Sequence, residues 1–335
     1  MSHTASAPVH HTVTVPATTA NLGAGFDAFG LALRGTGDLA AVLAVRSLPR
    51  SAQDERVRCS GEGAGEVASD DDNLVWRSLV RFCEHHDVPV PDVALHAHST
   101  IPLERGLGSS SSAIVAGLVL GRALTGVSVG DRDLVGLADA IEGHPDNVAP
   151  ALLGGLVACA TDDDGRLVIR RINPAPALRP VVLVPTTRQA TTSARAVLPE
   201  SLVRADVAVQ AARAGHVLGA LVGAWPASVG LSGDLLHEPA RFAAMPATGA
   251  IVTALRAAGV HAWLSGAGPS VAAVLTGPGD GPVARVAEVA AEGGFVVHPA
   301  EFQLTGALAC PDGGCALAGS VPGGADCVRC PRRAV

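Results

Sequence analysis

The sequence predicts an α+β fold in two lobes, and three observations support this prediction. The chain has 335 residues, whereas single hydrophobic cores stop growing near ~250–300 residues, so two lobes are expected. Hydrophobic residues make up 48% of the chain and charged residues 16%, which is typical of a globular protein. Segments with strand periodicity and segments with helix periodicity interleave along the chain, as in α+β proteins.

The first half of the chain alternates predicted strands and helices. Alternating hydrophobic residues predict strands at residues 12–15, 39–45, 57–60 and 93–98. Hydrophobic residues at helical spacing predict helices at residues 74–82, 109–120 and 131–142. An acidic run precedes the first of these helices, at the end where the helix dipole favours negative charge.

The second half repeats this mixture and ends in a segment of different composition. Strands are predicted at residues 156–160, 167–172, 181–184 and 271–275, and helices at residues 205–221 and 251–258. We therefore divide the chain into an N-terminal lobe (1–155), a C-terminal lobe (156–305) and a tail (306–335). The tail is rich in Gly, Pro and Cys, so we expect it to lie outside the packed lobes.

Charge and composition exclude several classes of function. All 24 basic residues are Arg, so the chain has no lysine for a Walker A loop or a Schiff base. A net charge of -7 argues against a nucleic-acid partner. The chain starts without a readable signal peptide, and its longest uncharged stretch is interrupted by Pro226, so we expect no membrane span and a cytoplasmic protein.

A run rich in glycine and serine is the first motif that indicates chemistry. Glycines allow positive φ angles and a close approach of the backbone to a ligand, and a buried helix follows them, so its free amides would attract an anion. The alternative is a turn that only caps this helix. The residues predicted to bind a nucleotide phosphate are Pro102, Gly106, Leu107, Gly108, Ser109, Ser110, Ser111 and Ser112.

This run resembles the nucleotide motif of the GHMP kinases, a superfamily named for galacto-, homoserine, mevalonate and phosphomevalonate kinases. Companion motifs at residues 15–27 and 264–270 occur in the expected order. Within the superfamily, residues 15–27, 142–150, 191–199 and 236–241 resemble homoserine kinases. The resemblance implies an N-terminal lobe like domain 2 of ribosomal protein S5 and a C-terminal lobe that is a ferredoxin-like α/β sandwich.

The resemblance also implies an activity: phosphorylation of L-homoserine to O-phospho-L-homoserine in threonine biosynthesis, with ATP and Mg²⁺. Catalytic roles are implied for Asp27, Glu142 and Ser110. Ser110 and Glu142 would hold Mg²⁺, and Asn73, Gly266 and Gly268 would join the phosphate loop in binding ATP. The implied substrate-binding residues are Asn21, Asp27, His144, Arg195 and Arg241.

The charges of these side chains agree with such a substrate. Homoserine is a zwitterion, so its carboxylate needs cations such as Arg195 and Arg241, and its ammonium group needs acceptors such as Asp27. Taken singly, each residue has a bland alternative: Asp27 bracing a turn, Glu142 in solvent, His144 in a turn, and both arginines on the surface.

Two alternatives for the whole protein stay open. Residues 33–38 and Ala240 lack aromatic side chains that are common in the family, so the substrate could be another small hydroxy or amino acid. A nucleotide-binding sensor without turnover is the alternative of a different class. The sequence also leaves open whether the chain forms a homodimer.

The tail contains four cysteines, Cys310, Cys315, Cys327 and Cys330, in two closely spaced pairs. Two pairs of thiolates joined by a flexible loop could form a tetrahedral Zn²⁺ site. The alternative is a disordered tail with incidental cysteines, because the intervening residues show no folding pattern.

Overall fold

A computed structural model describes residues 10–35, 42–51, 53–276 and 281–311, and it confirms the α+β fold class. The strands are β1 (His11–Asn21), β2 (Gly25–Gly35), β3 (Val42–Pro49), β4 (Val57–Gly61), β5 (Val93–Ser99), β6 (Leu156–Thr161), β7 (Leu167–Ile172), β8 (Arg179–Pro185), β9 (His261–Leu264), β10 (Val271–Leu275), β11 (Phe295–Phe302) and β12 (Leu308–Pro311). The α-helices are α1 (Leu74–His85), α2 (Ser109–Thr125), α3 (Asp131–Glu142), α4 (Pro145–Leu153), α5 (Thr191–Ala196), α6 (Arg204–Leu221), α7 (Glu238–Ala244), α8 (Pro246–Ala257) and α9 (Gly281–Glu292).

The described strands join into one sheet with the order β4-β5-β3-β1-β2-β11-β8-β10-β9. The two halves of the chain meet where β2 pairs antiparallel with β11, with Leu33 opposite Phe302. Strand β6 pairs with β2 and β7 pairs with β6, so these two strands extend the sheet of the first half. The division of the chain at residue 155 therefore stays a prediction, with β6 and β7 on the N-terminal side of the sheet.

Helix α2 lies in the middle of the first core, as its uniformly apolar sequence predicts. Ile114, Leu118 and Leu120 are each at most 1% exposed. Gly117 allows α1 to approach closely, because a Cβ there would lie 2.2 Å from the carbonyl oxygen of Val75. This burial fixes the N-terminus of α2, which carries the four serines, against the strands of the sheet.

The second half follows the predicted ferredoxin-like pattern. Strands β8, β9, β10 and β11 are its first to fourth strands, with α8 between the first two and α9 between the last two. Their antiparallel order is β11-β8-β10-β9, which is fourth, first, third, second. A separate core fills the space between these helices and strands, and its fully buried members include Leu183, Val252, Leu255, Ala262 and Val271.

Two features differ from the sequence prediction. Strand β2 is not predicted by alternation, because it is central in the sheet and residues 29–33 are buried on both faces. The expectation that the chain leaves the packed lobes near residue 306 is wrong for β12, which pairs with β1 and buries Cys310 to 8% exposure. Cys315, Cys327 and Cys330 lie outside the described residues, so the Zn²⁺ site stays a prediction.

None of the helices in the described part of the chain is both long enough and apolar enough to cross a membrane.

Candidate active site

One cleft collects residues from both halves of the chain. The predicted site residues that line it are Asn21, Asp27, Gly106, Gly108, Ser109, Ser110, Ser111, Glu142, His144, Arg195, Arg241 and Gly266. They come from motifs that are as many as 245 residues apart, the separation of Asn21 and Gly266. Folding therefore brings together the glycine-serine loop and the side chains predicted to bind an amino acid.

The glycine-serine loop approaches its neighbours too closely for any side chain at two positions. Gly106 and Gly108 have φ angles of 71° and 72°. A Cβ on Gly106 would lie 2.1 Å from the carbonyl oxygen of Ser265, and a Cβ on Gly108 would lie 2.0 Å from Thr18 Oγ1. No side chain caps the start of α2, so its first amides and its dipole are available to an anion. We call this region the phosphate end of the cleft.

A set of oxygen atoms lies beside the phosphate end. Ser110 Oγ donates to both carboxylate oxygens of Glu142, at 2.8 and 2.6 Å, and Ser111 Oγ donates to Glu142 Oε1 at 2.8 Å. Glu142 occupies this position because it is the last residue of α3. One carboxylate with two hydroxyls is a hard oxygen donor set of the kind that Mg²⁺ prefers, so these residues fit the predicted metal.

The opposite part of the cleft, which we call the acceptor end, contains ion-paired side chains. Arg195 holds Asp27 through two hydrogen bonds, from Nη1 to Oδ2 at 3.0 Å and from Nη2 to Oδ1 at 2.7 Å. Asn21 and Asp27 both have positive φ angles, 71° and 55°. Asn21 Oδ1 accepts the Asp27 backbone amide, and Asn21 Nδ2 donates to the carbonyl oxygen of Gly266. Two predicted substrate residues are thus held in place by other predicted site residues.

A second guanidinium lies next to the first. Arg241 is only 2% exposed, and it donates from Nε to the Ala194 carbonyl and from Nη1 to the Gly266 carbonyl. The ring of Phe26 lies 5.3 Å from the Arg241 guanidinium carbon and 5.7 Å from that of Arg195. Burial, and then repulsion from Arg195, lowers the pKa of Arg241 to about 10. Two adjacent cations with lowered solvation favour a carboxylate ligand.

His144 and two residues that sequence reasoning missed complete the acceptor end. His144 Nδ1 lies 2.6 Å from Asp146 Oδ1. Burial lowers the pKa of His144, but the hydrogen bond and charge of Asp146 outweigh it and leave that pKa above its usual value. Ligating atoms of Asp27, His144 and Asp146 all lie within 4.8 Å of one another. Asn147, the next residue, also lines the cleft and accepts a hydrogen bond from Thr18 Oγ1 at 2.7 Å. Their position two and three residues after His144, inside the run 142–150, is the sequence signal that points to them.

A buried polar network supports the turn that carries Asp27. Asp234 Oδ2 accepts the backbone amide of Phe26 at 3.1 Å and Gln210 Nε2 at 2.7 Å. Gln210 Nε2 also donates to the Ala24 carbonyl at 2.9 Å. Burial raises the pKa of Asp234 to about 6, although its hydrogen bonds favour the ionised form. The sequence carries no local signal for this network, because its members are separated by up to 208 residues.

Some predicted nucleotide residues do not line the cleft. Asn73 caps α1 through the Val75 amide and donates to the Ala68 carbonyl, so its side chain has a local structural role. Ser112 donates to the Pro16 carbonyl. Pro102 and Leu107 are buried, and Gly268 donates its backbone amide to Ser265. These residues shape the loop or its surroundings, and a direct contact with nucleotide stays a prediction for each.

Comparison with known proteins gives the same family for both halves of the chain. The family profile described as GHMP kinases N terminal domain matches residues 73–155, and that described as GHMP kinases C terminal matches residues 220–293. A homoserine kinase from Clavibacter michiganensis subsp. michiganensis is 41% identical over 273 residues, which cover 80% of this chain and 83% of that protein. A homoserine kinase from Synechococcus sp. is 41% identical over 78% of this chain and 84% of its own length.

A solved structure agrees with these sequence relatives. The crystal structure of homoserine kinase from Cytophaga hutchinsonii has a TM-score of 0.72 and 26% identity, and it covers 92% of this chain and 100% of that chain. Its similarity confirms the GHMP kinase fold. The chain therefore belongs to the homoserine kinase family of the GHMP kinases.

Proposed function

We propose that the protein transfers the γ-phosphate of ATP to the side-chain hydroxyl of L-homoserine and so makes O-phospho-L-homoserine for threonine biosynthesis. One observation carries the proposal: a paired-guanidinium pocket with carboxylates beside it lies in the same cleft as an uncapped helix N-terminus. The names of the sequence relatives support the same substrate. A cytoplasmic location remains a prediction from the sequence.

The acceptor end matches each charged group of homoserine. Arg195 uses one N–H of each terminal nitrogen on Asp27, so further N–H groups remain for a carboxylate. The buried Arg241 adds a second cation that lines the same cleft. Asp27 and Asp146 supply negative charge within reach of an ammonium group, because their oxygens and His144 form one cluster. An amino acid could therefore bind with its carboxylate toward the arginines and its side chain toward the phosphate end.

The phosphate end matches a nucleotide. The loop glycines expose the backbone, and the start of α2 presents its amides to phosphate oxygens. Ser110, Ser111 and Glu142 would hold Mg²⁺, and the ion, when bound, would neutralise charge on the phosphate oxygens. The family resemblance implies the same residues for ATP and Mg²⁺, and the fact that they line one cleft supports the proposal.

Transfer in such a site relies on positioning more than on a strong base. The homoserine oxygen forms a bond to the γ-phosphorus as the bond from that phosphorus to the ADP oxygen breaks, so ADP is the leaving group, and the hydroxyl proton is released to solvent water. Asp27, the base candidate from the sequence, is held in an ion pair with Arg195. No lysine exists in the chain to replace it. We therefore assign Asp27 chiefly to orienting the amino acid.

An ADP-release assay with several alcohols tests this proposal. The purified protein would be given MgATP with L-homoserine, L-threonine, mevalonate, pantoate or galactose, and the products would be identified by mass spectrometry. We expect L-homoserine to give the highest kcat/KM and a product heavier by one phosphoryl group. Turnover with another alcohol but not with homoserine would replace the substrate and keep the kinase. Nucleotide binding without turnover on any of them would favour the sensor.

A further inference from the structure

We propose that Arg105 is the side-chain cation that binds the phosphate chain of the nucleotide; this inference rests on the proposed function and assigns a further residue to it. Arg105 lines the cleft and directly precedes Gly106, in the loop that forms the phosphate end. Neither the motif nor the charge of the acceptor end singles it out.

The inventory of charge in the cleft leaves one arginine at the phosphate end. Among the described residues that line the cleft, the arginines are Arg105, Arg195 and Arg241. Arg195 is paired with Asp27, and Arg241 is bonded to the Ala194 and Gly266 carbonyls, so both are committed to the acceptor end. Lysine, which many kinases place on the phosphates, is absent from the whole sequence. Among the arginines of the described cleft lining, Arg105 is therefore the one that is left to bind a triphosphate.

The guanidinium of Arg105 has donors without acceptors. Its Nη2 donates to the Thr186 carbonyl at 3.0 Å. Its Nε is buried and has no hydrogen-bond partner in the described part of the chain. A guanidinium carries five N–H groups in a planar fork that matches phosphate oxygens. Arg46 and Arg213 also have a buried Nε without a partner among the described residues, but neither lines the cleft. Arg105 does line the cleft, where a phosphate can supply the acceptor that a buried donor ordinarily has.

Nearby carboxylates do not neutralise this arginine. The pKa of Glu66 is lowered, first by its hydrogen bond to Arg188 and more weakly by the charges of Arg188 and Arg105. Arg188, not Arg105, makes the ion pair with Glu66, through Nη2 at 3.0 Å to Oε1 and a second contact to Oε2. Glu104, the neighbour of Arg105 in the chain, also lines the cleft, but among the described residues Arg105 forms no ion pair with it or with another carboxylate. Arg188 is a neighbouring arginine outside the cleft lining, which makes it a matched control.

The hydrogen bond from Arg105 to Thr186 also connects the phosphate loop to the segment that leads to α5. Thr186 follows β8 and begins the segment that leads to α5, where Arg195 lies. The same segment donates the Gln189 amide to the Glu104 carbonyl at 2.9 Å. Arg105 and its neighbour therefore connect the phosphate loop to the segment that holds the acceptor's arginine. A phosphate bound by Arg105 would be positioned relative to both ends of the cleft.

Nucleotide affinity as a function of phosphate number tests the inference. Calorimetry would give the Kd of MgATP, MgADP and AMP for the full-length wild type, Arg105→Met, Arg105→Lys and Arg188→Met. We expect Arg105→Met to weaken MgATP binding about tenfold or more, since a charge-assisted hydrogen bond contributes ~1.5–3 kcal/mol. AMP binding should change less than about twofold, and Arg188→Met should bind MgATP much more tightly than Arg105→Met does.

The controls separate this inference from the proposed function. Equal losses for AMP and MgATP in Arg105→Met, or equal MgATP losses in Arg105→Met and Arg188→Met, would overturn the role of Arg105. If Arg105→Met does not fold, Arg105→Lys serves as the test, because lysine keeps the positive charge but lacks the planar fork of N–H groups. We then expect a smaller loss of affinity, confined to MgATP and MgADP. Wild-type affinity of Arg105→Lys for all three nucleotides would overturn the inference. A wild type that binds no nucleotide would instead refute the proposed function.

Discussion

The two ends of the cleft are built in different ways. The phosphate end is built from one short run of sequence, which supplies backbone amides and hydroxyls, together with the Glu142 carboxylate from the end of α3. The acceptor end is assembled from four segments, around Asp27, His144, Arg195 and Arg241, and its main groups are charged side chains paired with one another. Backbone shape thus defines one end, and tertiary pairing of charges defines the other.

This difference has a physical reason. Phosphate groups present many equivalent oxygens, so a ring of amides at a helix N-terminus binds them without fixed side-chain geometry. An amino acid presents one carboxylate, one ammonium group and one hydroxyl at set distances, so its site needs opposite charges in fixed positions. The acceptor end therefore depends on a supporting network beneath it, in which Asp234 and Gln210 hold the turn of Asp27. Single substitutions should therefore damage one end of the cleft and leave the other intact.

The largest effect is expected from Gly106→Ala. Its φ of 71° is strained for alanine, and the new Cβ would lie 2.1 Å from the backbone oxygen of Ser265, which cannot move away easily. Misplacement of the loop by about 1 Å could lower turnover about 100-fold. Gly126→Ala is the matched control, since Gly126 also has a φ of 71° but nothing lies within 4 Å of its Cβ position.

Steady-state kinetics and urea unfolding would be measured for both glycine variants. Gly126→Ala should lose about 1 kcal/mol of stability from strain alone and keep its kcat. If the two variants had the same kcat, close approach at Gly106 would not matter and the backbone would not define the phosphate end.

The next largest effect is expected from Asp234→Asn, which should weaken binding at the acceptor end and leave nucleotide binding unchanged. Both carboxylate oxygens of Asp234 accept hydrogen bonds from N–H groups. In Asp234→Asn one of these oxygens becomes an NH₂ group, which cannot accept, so at least one N–H donor loses its partner. We expect a loss of about 2–3 kcal/mol in the free energy of unfolding. The KM for homoserine should rise about tenfold while the KM for MgATP changes less than about twofold.

Asp92→Asn is the control for that variant, because the Asp92 side chain is 80% exposed. It should leave both KM values unchanged. A rise in the MgATP KM as large as the rise in the homoserine KM would show that the network supports the whole cleft, which the account does not predict.

A smaller effect is expected at Thr18, which contacts both ends. Its hydroxyl donates to Asn147 Oδ1, and its amide donates to the Leu107 carbonyl of the phosphate loop. Thr18→Val keeps the shape and loses the hydroxyl, which should free the Asn147 amide to rotate and lower kcat about tenfold. Thr18→Ser keeps the donor and should retain most of kcat. Equal kcat values for the two variants would exclude a positioning role for the hydroxyl.

The smallest and most gradual effect is a pH dependence of stability. The pKa of Asp234 is about 6 in the folded protein, above its ordinary value of 3.8, because the carboxylate is buried. The folded state therefore binds the proton of Asp234 more tightly than the unfolded state does, and this protonation stabilises the fold. The stabilisation is fully present below pH 3.8 and is lost as the pH rises through about 6. Urea unfolding of the wild type and Asp234→Asn between pH 4 and pH 8 would measure it.

The difference in unfolding free energy between the two proteins should shrink by up to about 3 kcal/mol as the pH rises. Asp92→Asn should show no such change relative to the wild type. A difference that stays constant over the whole range would mean that Asp234 does not titrate there.

The sequence predicts the phosphate end better than the acceptor end, because the first is mostly one contiguous run and the second is assembled from distant segments. The loop and α2 are contiguous, so glycine, serine and an apolar run were enough to predict their shape and most of their residues. At the acceptor end the sequence predicted the charged residues from a family resemblance, but it could not predict that Arg195 holds Asp27, since 168 residues separate them. A nucleotide contact of Asn73 stays a prediction, because its side-chain oxygen caps α1 and asparagine is favoured in that structural role as well.

The fold shows the same limit. Exposed or half-buried elements such as α3 and β7 have the bounds that periodicity predicts. Strand β2 has no alternation because both of its faces are buried, and β12 is too short to stand out from a glycine-rich sequence. Their positions depend on pairing with distant strands, which no local pattern contains.

The central claim is that the arginine pocket recognises the amino acid and the loop recognises the nucleotide. The most direct test is the ratio of the two KM values in Arg195→Ala, with Arg166→Ala as a control whose side chain is 75% exposed. The account predicts that Arg195→Ala raises the KM for homoserine at least about tenfold and changes the KM for MgATP less than about twofold, since it removes a charge-assisted contact to one substrate only. Equal rises in both KM values would contradict it.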